Sequence, residues 1–340
     1  MTEKDTITLK HLAQKLDLAS STVSRALNGM GGVGEAKARE IRLLAKELGY
    51  QPKPLRRKLA DAIGLLIVTD DKSRPDDAYH YEFVYALNRA CKDLNWHVHI
   101  ELIHRDDEAQ LPAIITQHRV DGVLITGYPT ETFCQRLIDA QMPTVVLDDL
   151  SKRVTCACVC PDIAKQTAAI VRMLMEVGHE HFAYVTAPTD YPTVLQRLEG
   201  YLGALQEAGY SADKGSVIKV PHSAIHSGQI ATRQLMQNPI KPTAIFYATD
   251  RLALGGMIEL ARLGLSVPTD ISVISHDNTS LAQETDPPLT SVDLNIHQSI
   301  EAAIDLLQSQ IDANTVLMDR QVNIPVQTVW RASSGPAPRG

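Results

Sequence analysis

Three groups of residues have types and spacings that could carry chemistry. Gly29, Gly31 and Gly34, within "NGMGGVGEA", form a Gly-x-Gly-x-x-Gly, the spacing that lets a backbone approach the pyrophosphate of a dinucleotide. Cys156, Cys158 and Cys160, within "TCACVCPD", crowd three of the five cysteines into one short stretch, as a thiolate metal site would. Asp148, Thr249, Asp250, His276, Asp277 and Asn278 close apolar runs, and Arg197 opens "RLEGYLGAL". Carboxylates and a guanidinium gathered in one cleft suit a polyhydroxyl ligand, since each can pair with two hydroxyls. What each group does depends on the elements that hold it.

A dinucleotide fingerprint must follow a buried strand and open a helix. Here "STVSRALN" precedes the glycines, and Val23, Ala26 and Leu27 recur at helical spacing. A glycine there ends a helix, so the match is a decoy and no nicotinamide cofactor is expected. The surrounding segment reads as three helices. Thr8 is placed to cap "LKHLAQKL", whose Leu9, Leu12, Ala13 and Leu16 share a face. A short break, "DLAS", leads to the second helix. The third, "EAKAREIRLLAKELGY", buries Ala38, Ile41, Leu44, Ala45 and Leu48. Two short helices joined by a tight turn and braced by a third make a helix-turn-helix module. Its second helix offers a polar face of Ser20, Ser21, Thr22, Ser24, Arg25 and Asn28. Short hydroxyl side chains allow close approach to phosphates, and an arginine reaches a phosphate or a base edge.

The alternate spacing of the three cysteines lines them along one face of a strand, whereas zinc sites usually pair ligands two to four residues apart and need a second pair. Core packing is the expected role, with no metal and no cofactor.

Charge separates along the chain. Of 33 Lys+Arg and 40 Asp+Glu, residues 1–60 carry 12 and 6, a net +6, leaving −13 for the remainder. A basic head on an acidic body suggests that the head meets a polyanion. The start, "MTEKDTITLK", lacks the apolar run of a signal peptide. No uncharged apolar stretch of about 18 residues marks a membrane span. A cytoplasmic protein without a membrane partner is expected.

From residue 63 apolar runs alternate with amphipathic ones. "IGLLIV", "HVHIELI", "DGVLIT", "TVVLD", "FAYVT", "AIFYA" and "ISVIS" read as strands, with helical patterns such as "FVYALNRACKDL" and "ALGGMIELARLG" between most of them. Such alternation implies parallel sheets with crossover helices, enough for two lobes with a ligand cleft at the carboxyl ends of the strands. No Gly-x-Ser-x-Gly, His-Glu-x-x-His or P-loop occurs, so the body is not expected to be an enzyme.

"ITLKHLAQKLDLASSTVSRALNG" followed by "GVGEAKAREIRLLAKELGYQP" resembles the DNA-binding head of the LacI/GalR family of bacterial transcription regulators. T-V-S-R-x-L-N and the closing L-G-Y-x-P are its most specific parts, and the resemblance continues to "IPVQTVWRASS". It implies an α/β fold: a helix-turn-helix head plus a two-lobed, periplasmic-binding-protein-like core of two doubly wound parallel sheets. By the same resemblance Ser20 and Ser21 are the base-reading pair, Thr22, Ser24, Arg25 and Asn28 are further DNA contacts, and Thr8 and Leu9 meet phosphates. Its effector contacts fall on Asp148, Arg197, Thr249 and Asp277, Thr249 replacing a common asparagine. Tyr79 and Tyr81 lie where the family often has aromatics near the ligand, and Asp71 is a further candidate.

The linker departs from the family pattern. A hinge helix would place Leu59 as a wedge in the minor groove. Lys53 replaces a frequent asparagine, Arg56 stands where a small alanine is usual, and "ADA" is about four residues short of the family's linker. The run Lys53, Arg56, Arg57 and Lys58 still draws in phosphates, so a basic extended linker competes with a hinge helix. The expected division is a head over 1–50, a hinge over 51–62, one core lobe over 63–160 and 293–322, the other over 161–292 and 323–335, and a tail over 336–340. The expected partners are a near-palindromic double-stranded operator, a small effector of the sugar class, and a second copy in a homodimer. The alternatives are a sugar-binding or sugar-processing protein with an incidental head, and a ligand-independent DNA-binding protein.

Overall fold

The computed structural model describes residues 9–27, 33–48, 50, 61–69, 78–127, 129–147, 155–189, 192–210 and 215–338; the side chains of Lys10 and of residues 78–80 lie outside that description. The chain divides into two compact units, Met1–Lys58 and Leu59–Gly340.

In the first unit, α1 (Leu9–Leu16), α2 (Ser20–Leu27) and α3 (Glu35–Glu47) enclose Leu12, Ala13, Val23, Ala26, Ala38, Ile41 and Ala45. Asp17, at φ 50°, turns the chain between α1 and α2, and the Leu18 N–H donates back to the Ala13 carbonyl at 3.0 Å. Arg42 of α3 donates through Nε to the Ala26 carbonyl at 3.3 Å. That satisfies a carbonyl that the last turn of α2 leaves open. Gly34 precedes α3, and the element before the glycine-rich stretch is the helix α2, not a strand. Gly29 and Gly31 lie outside the described residues.

The second unit contains two six-stranded sheets. The first has the order β11-β5-β4-β3-β1-β2, formed by β1 (Ala62–Thr69), β2 (His97–His104), β3 (Gly122–Gly127), β4 (Thr144–Leu147), β5 (Ala157–Pro161) and β11 (Gln321–Ile324), all parallel. The second has the order β12-β10-β9-β8-β6-β7, formed by β6 (Phe182–Thr186), β7 (Gly215–Lys219), β8 (Ala244–Tyr247), β9 (Ser272–Asp277), β10 (Thr290–Asp293) and β12 (Gln327–Val329). Only β12 runs antiparallel to its neighbour. Helices α4 (Ala78–Asp93), α5 (Ala113–Thr116), α6 (Glu131–Asp139) and α12 (Ile296–Ala313) go with the first sheet. The second carries α7 (Ile163–Glu176), α8 (Pro192–Glu207), α9 (Ile225–Met236), α10 (Asp250–Arg262) and α11 (Ser280–Glu284). The strands are near-continuous apolar runs because parallel sheets are covered on both faces.

The chain passes between the sheets three times: after β5, after β10 and after β11. The three passages are tied to one another. The Asp162 N–H donates to the Ile324 carbonyl at 3.0 Å, and Asn295 Nδ2 to the Pro325 carbonyl at 3.4 Å. Asn295 itself stands at φ 55°, its N–H held by Asp293 Oδ1 at 2.8 Å. Cys156 and Cys158 pack into the apolar layer under the first sheet with Val123, Ile125, Val146 and Cys134. Among the described residues no helix is long and apolar enough to cross a membrane.

One close approach sets the position of α8. A Cβ added at Gly200 would lie 2.2 Å from the Ala164 carbonyl oxygen, a backbone atom of α7, whereas one added at Gly203 of the same helix meets nothing within 4 Å. Gly200→Ala is therefore expected to destabilise the protein by about 2–3 kcal/mol through overpacking. Gly203→Ala is expected to stabilise it by roughly 0.5–1 kcal/mol, as alanine does in a helix interior. Denaturant unfolding of the two variants checks the contrast, and equal effects would contradict the packing described.

Candidate functional site

On the head, α2 presents its polar face outward. Ser20, Ser21 and Arg25 are exposed, Thr22 and Ser24 are half-buried, and Leu9 at the start of α1 is half-buried. The opposite face of α2 supplies Val23 and Ala26 to the core. Burial of that stripe fixes which side chains face away from the head. Thr8, Asn28, Lys53, Arg56 and Leu59 lie outside the described residues, as do Arg57 and Lys58.

The second sheet of the core brings two of the expected effector residues together. Arg197, carried on α8, lies 2.9 Å through a guanidinium nitrogen from Asp277 Oδ1, and both side chains are almost wholly withdrawn from water. A second guanidinium nitrogen donates to the Ala248 carbonyl just beyond β8. The pair thus stands at the carboxyl ends of β8 and β9, where a parallel sheet leaves its ligand site. Asp277 is at φ 103° and Asn278 at φ 47°; positive φ is uncommon for residues other than glycine.

Thr249, the next residue, caps α10: its hydroxyl accepts from the Leu252 N–H at 3.3 Å. While accepting this bond the hydroxyl keeps its own proton to donate. Tyr81 is 71% exposed on α4. Asp71 and Asp148 lie outside the described residues, as does the side chain of Tyr79.

Two residues beneath the pair had no clear role in the sequence. Asp250, one of the polar residues that close the apolar runs, turns inward. It is 1% exposed, accepting from the hydroxyls of Ser275, Ser291 and Thr279 and from the Thr279 N–H. Burial pushes its carboxyl up, and these four donors pull it back. His276 is fully buried between Tyr247 and α7. The Tyr247 carbonyl, 3.2 Å from Nδ1, can only accept, so Nδ1 carries the proton and Nε2 accepts from the Thr167 hydroxyl at 2.9 Å. Burial first, and the charge of Arg197 second, push the imidazole down to about 3, so it is neutral. Among the described residues no cluster of His, Cys, Asp or Glu is arranged to hold a metal.

Comparison with known proteins gives these sites a context. The periplasmic binding protein-like domain family matches residues 171–334. The ribose operon repressor of Escherichia coli (strain K12) is 30% identical over 335 residues, covering 94% of this chain and 97% of the relative. The chain belongs to the LacI/GalR family of bacterial transcription regulators. Among solved structures, a complex of the transcriptional regulator CelR with cellobiose matches with a TM-score of 0.70 at 24% identity, over 96% of this chain and 99% of that one. A lac repressor dimer bound to operator and an anti-inducer matches with a TM-score of 0.69 at 24% identity, over 97% and 99%. At that identity the two structures speak for the fold alone. This LacI-family member thus has both parts of the family's architecture, a helix-turn-helix head and a core of two parallel-sheet lobes.

The neutral His276 makes stability depend on pH. An unfolded histidine takes up a proton near 6.5, while the folded one resists until about 3, so its contribution is complete above pH 6.5 and is lost progressively as pH falls toward 3. Between pH 7 and pH 5 this one group is expected to cost the folded protein about 2 kcal/mol. Unfolding of wild type and His276→Gln at both pH values isolates it, because all other titrating groups are shared. Equal losses in the two proteins would contradict a buried neutral imidazole.

Proposed function

We propose that this LacI-family regulator is a homodimeric repressor whose affinity for a near-palindromic operator is set by a small polyhydroxylated molecule, a sugar or sugar derivative, bound at the Arg197–Asp277 pair. The observation that carries this reading is the pair itself. A guanidinium, rich in N–H donors, stands against a carboxylate, which only accepts, at the carboxyl edge of a parallel sheet. Vicinal hydroxyls, each both donor and acceptor, bridge such a pair without adding net charge. The ribose operon repressor, named for a sugar operon, supports the same ligand class. We read the core as a binding module without turnover, and the protein as acting in the cytoplasm, where its operator DNA lies.

On the head, Ser20, Ser21, Thr22, Ser24, Arg25 and Asn28 would read the major groove, with Thr8 and Leu9 on phosphates and Lys53, Arg56 and Leu59 at the minor groove. Two heads on a two-fold axis match two half-sites. Asp71, Tyr79, Tyr81, Asp148 and Thr249 would complete the effector site, Thr249 through its backbone or a shared hydroxyl.

An apolar face of the first lobe supports the dimer. Ile100 and Leu102 lie on the edge strand β2 in register with Leu65 and Ile67, so they face the side of the sheet that α4 covers. Both are exposed, as is Tyr85 of α4. An exposed apolar edge is an aggregation hazard unless it is covered, and a second copy covers it.

Binding to DNA from upstream of the protein's own and neighbouring genes, followed by fluorescence anisotropy across a panel of sugars and sugar phosphates, tests the whole reading. One compound is expected to change operator affinity about 5–150-fold, the range of a coupling of about 1–3 kcal/mol. Indifference to every compound would refute the ligand class. Arg25→Ala is expected to weaken operator binding about tenfold or more, and unchanged affinity would remove Arg25 from the contact surface. Asp277→Asn is expected to abolish the response to the compound while operator binding persists. Leu102→Glu is expected to shift sedimentation from dimer toward monomer; an unshifted dimer would place the interface elsewhere.

A further inference from the structure

We propose that Asp250 is a positioning residue of the effector site: its buried carboxylate holds Asp277 and Asn278 in the positive-φ turn that aims Asp277 at Arg197. The inference rests on the reading of Arg197 and Asp277 as the effector site.

The turn is an outlier that needs a cause. Asp277 at φ 103° and Asn278 at φ 47° are consecutive, and neither is glycine. Such conformations persist only where the surroundings over-determine them, and they cluster at functional sites. The surroundings here converge on one carboxylate. Asp250 Oδ2 receives the Thr279 N–H at 2.8 Å and the Thr279 hydroxyl at 2.9 Å, so the residue that closes the turn is held at two points. Asp250 Oδ1 receives the Ser291 hydroxyl at 2.7 Å and the hydroxyl of Ser275, two residues before Asp277 on β9. Ser291 Oγ in turn accepts the Asn278 N–H at 3.0 Å. One carboxylate therefore grips the strand before the turn, the residue after it and, through Ser291, the middle of it. On the outer side Arg331 donates to Asn278 Oδ1 at 2.7 Å and to the Leu289 carbonyl at 2.6 Å.

The residue type follows from that geometry. Four donors converge on two oxygens, which a carboxylate accommodates and a hydroxyl does not. Asp250 is also the first residue of α10, where a negative charge is favoured by the helix dipole. With its acceptor sites taken up inside the fold and 1% of its surface exposed, Asp250 has nothing left for a ligand. Its effect on the ligand runs through Asp277.

An amide fits the same cradle. Asp250→Asn can place its oxygen on the Thr279 N–H and hydroxyl and direct its NH2 to the two serine hydroxyls, which rotate to accept. Asp250→Ala leaves all four donors without their acceptor. The test has a ligand-free arm and a ligand arm, both on the full-length chain. In crystal structures without sugar, Asp250→Ala is expected to show Asp277 out of its positive-φ conformation and its contact with Arg197 broken, while Asp250→Asn keeps both. By calorimetric titration with D-ribose and a panel of pentoses and hexoses, Asp250→Ala is expected to bind the sugar that wild type binds about tenfold more weakly or worse. Asp250→Asn is expected to stay within about threefold. Should Asp250→Ala not fold, Ser291→Ala removes one donor to the carboxylate and the acceptor for Asn278, and is expected to show the same changes in smaller measure.

An undisturbed Arg197–Asp277 pair in the alanine variant, or in Ser291→Ala where that variant stands in for it, overturns the proposal. So does a loss in Asp250→Asn as large as that in Asp250→Ala, because the shape of the cradle would then be irrelevant. If wild type binds no sugar of the panel, the effector reading fails, while the ligand-free crystal structures still decide whether Asp250 holds the turn.

Discussion

Two charges withdrawn from water must meet each other, and the second lobe is arranged around that requirement. Arg197 and Asp277 come from α8 and β9, far apart in the chain, and stand 2.9 Å apart with almost no exposure. A buried pair is weak evidence of stability, since desolvation offsets most of the Coulomb gain, whereas either partner left alone is strongly destabilising. The pair is therefore better understood as a constraint on geometry. It requires α8 to lie close enough to the sheet for the guanidinium to reach both Asp277 and the Ala248 carbonyl, and Gly200 permits that approach by resting on the backbone of α7. Burial first, and the charge of Arg197 second, keep His276 neutral, because an imidazolium beside Arg197 would add a second buried positive charge. A ligand that reaches the pair gains from the same low dielectric that makes the pair necessary.

The three passages between the sheets decide how far such a ligand can be felt. Ser291, gripped by Asp250, stands two residues before Asp293, which holds Asn295 at the second passage. Asn295 in turn reaches Pro325 at the third, and Asp162 of the first is bonded to Ile324. A ligand shifts an equilibrium only by as much as it prefers one state over the other. With the passages hydrogen-bonded together, the lobes have one shared set of backbone angles to alter rather than three independent ones. That favours a concerted change over a graded one.

Much of this was legible in the residues, for physical reasons that differ from place to place. The head declares itself because each of its helices repeats apolar residues at helical spacing, Leu9, Leu12, Ala13 and Leu16 in the first, Val23, Ala26 and Leu27 in the second, Ala38, Ile41 and Ala45 in the third, and the glycine fingerprint is disarmed by the helix in front of it. Long central strands are visible because parallel sheets demand continuous apolar runs. The strands β7, β10, β11 and β12 are not. They are three to five residues long and, β10 apart, carry polar side chains on partly exposed edges, so periodicity has too little to act on. Arg197 and Asp277, which the structure pairs, stand out in the sequence as polar residues beside apolar runs and through the family resemblance. Asp250 was not separable from a helix cap, because a carboxylate after "FYAT" has the same local sequence in either role. Only the tertiary convergence of Ser275, Thr279 and Ser291, up to 41 positions away, tells the two apart. Thr249 carries a second role that the sequence also permits: its hydroxyl caps α10.

The division of charge places a limit on how the two units share their work. Residues 1–60 carry a net +6 and the rest −13. Affinity for a phosphate backbone grows with each cation that displaces a condensed counterion, and an acidic core contributes nothing to that sum and opposes close approach. Essentially all of the attraction to DNA must therefore come from the head and the basic run that follows it, with the core acting on the operator only through the linker. A ligand in the core has no phosphate contact of its own to make or break. In the proposed dimer its influence is geometric, exerted on how two heads are presented together. That is why the proposed response needs the proposed second copy: one head alone would bind DNA in the same way whatever the core contained, whereas two heads would bind well only at the spacing their cores allow.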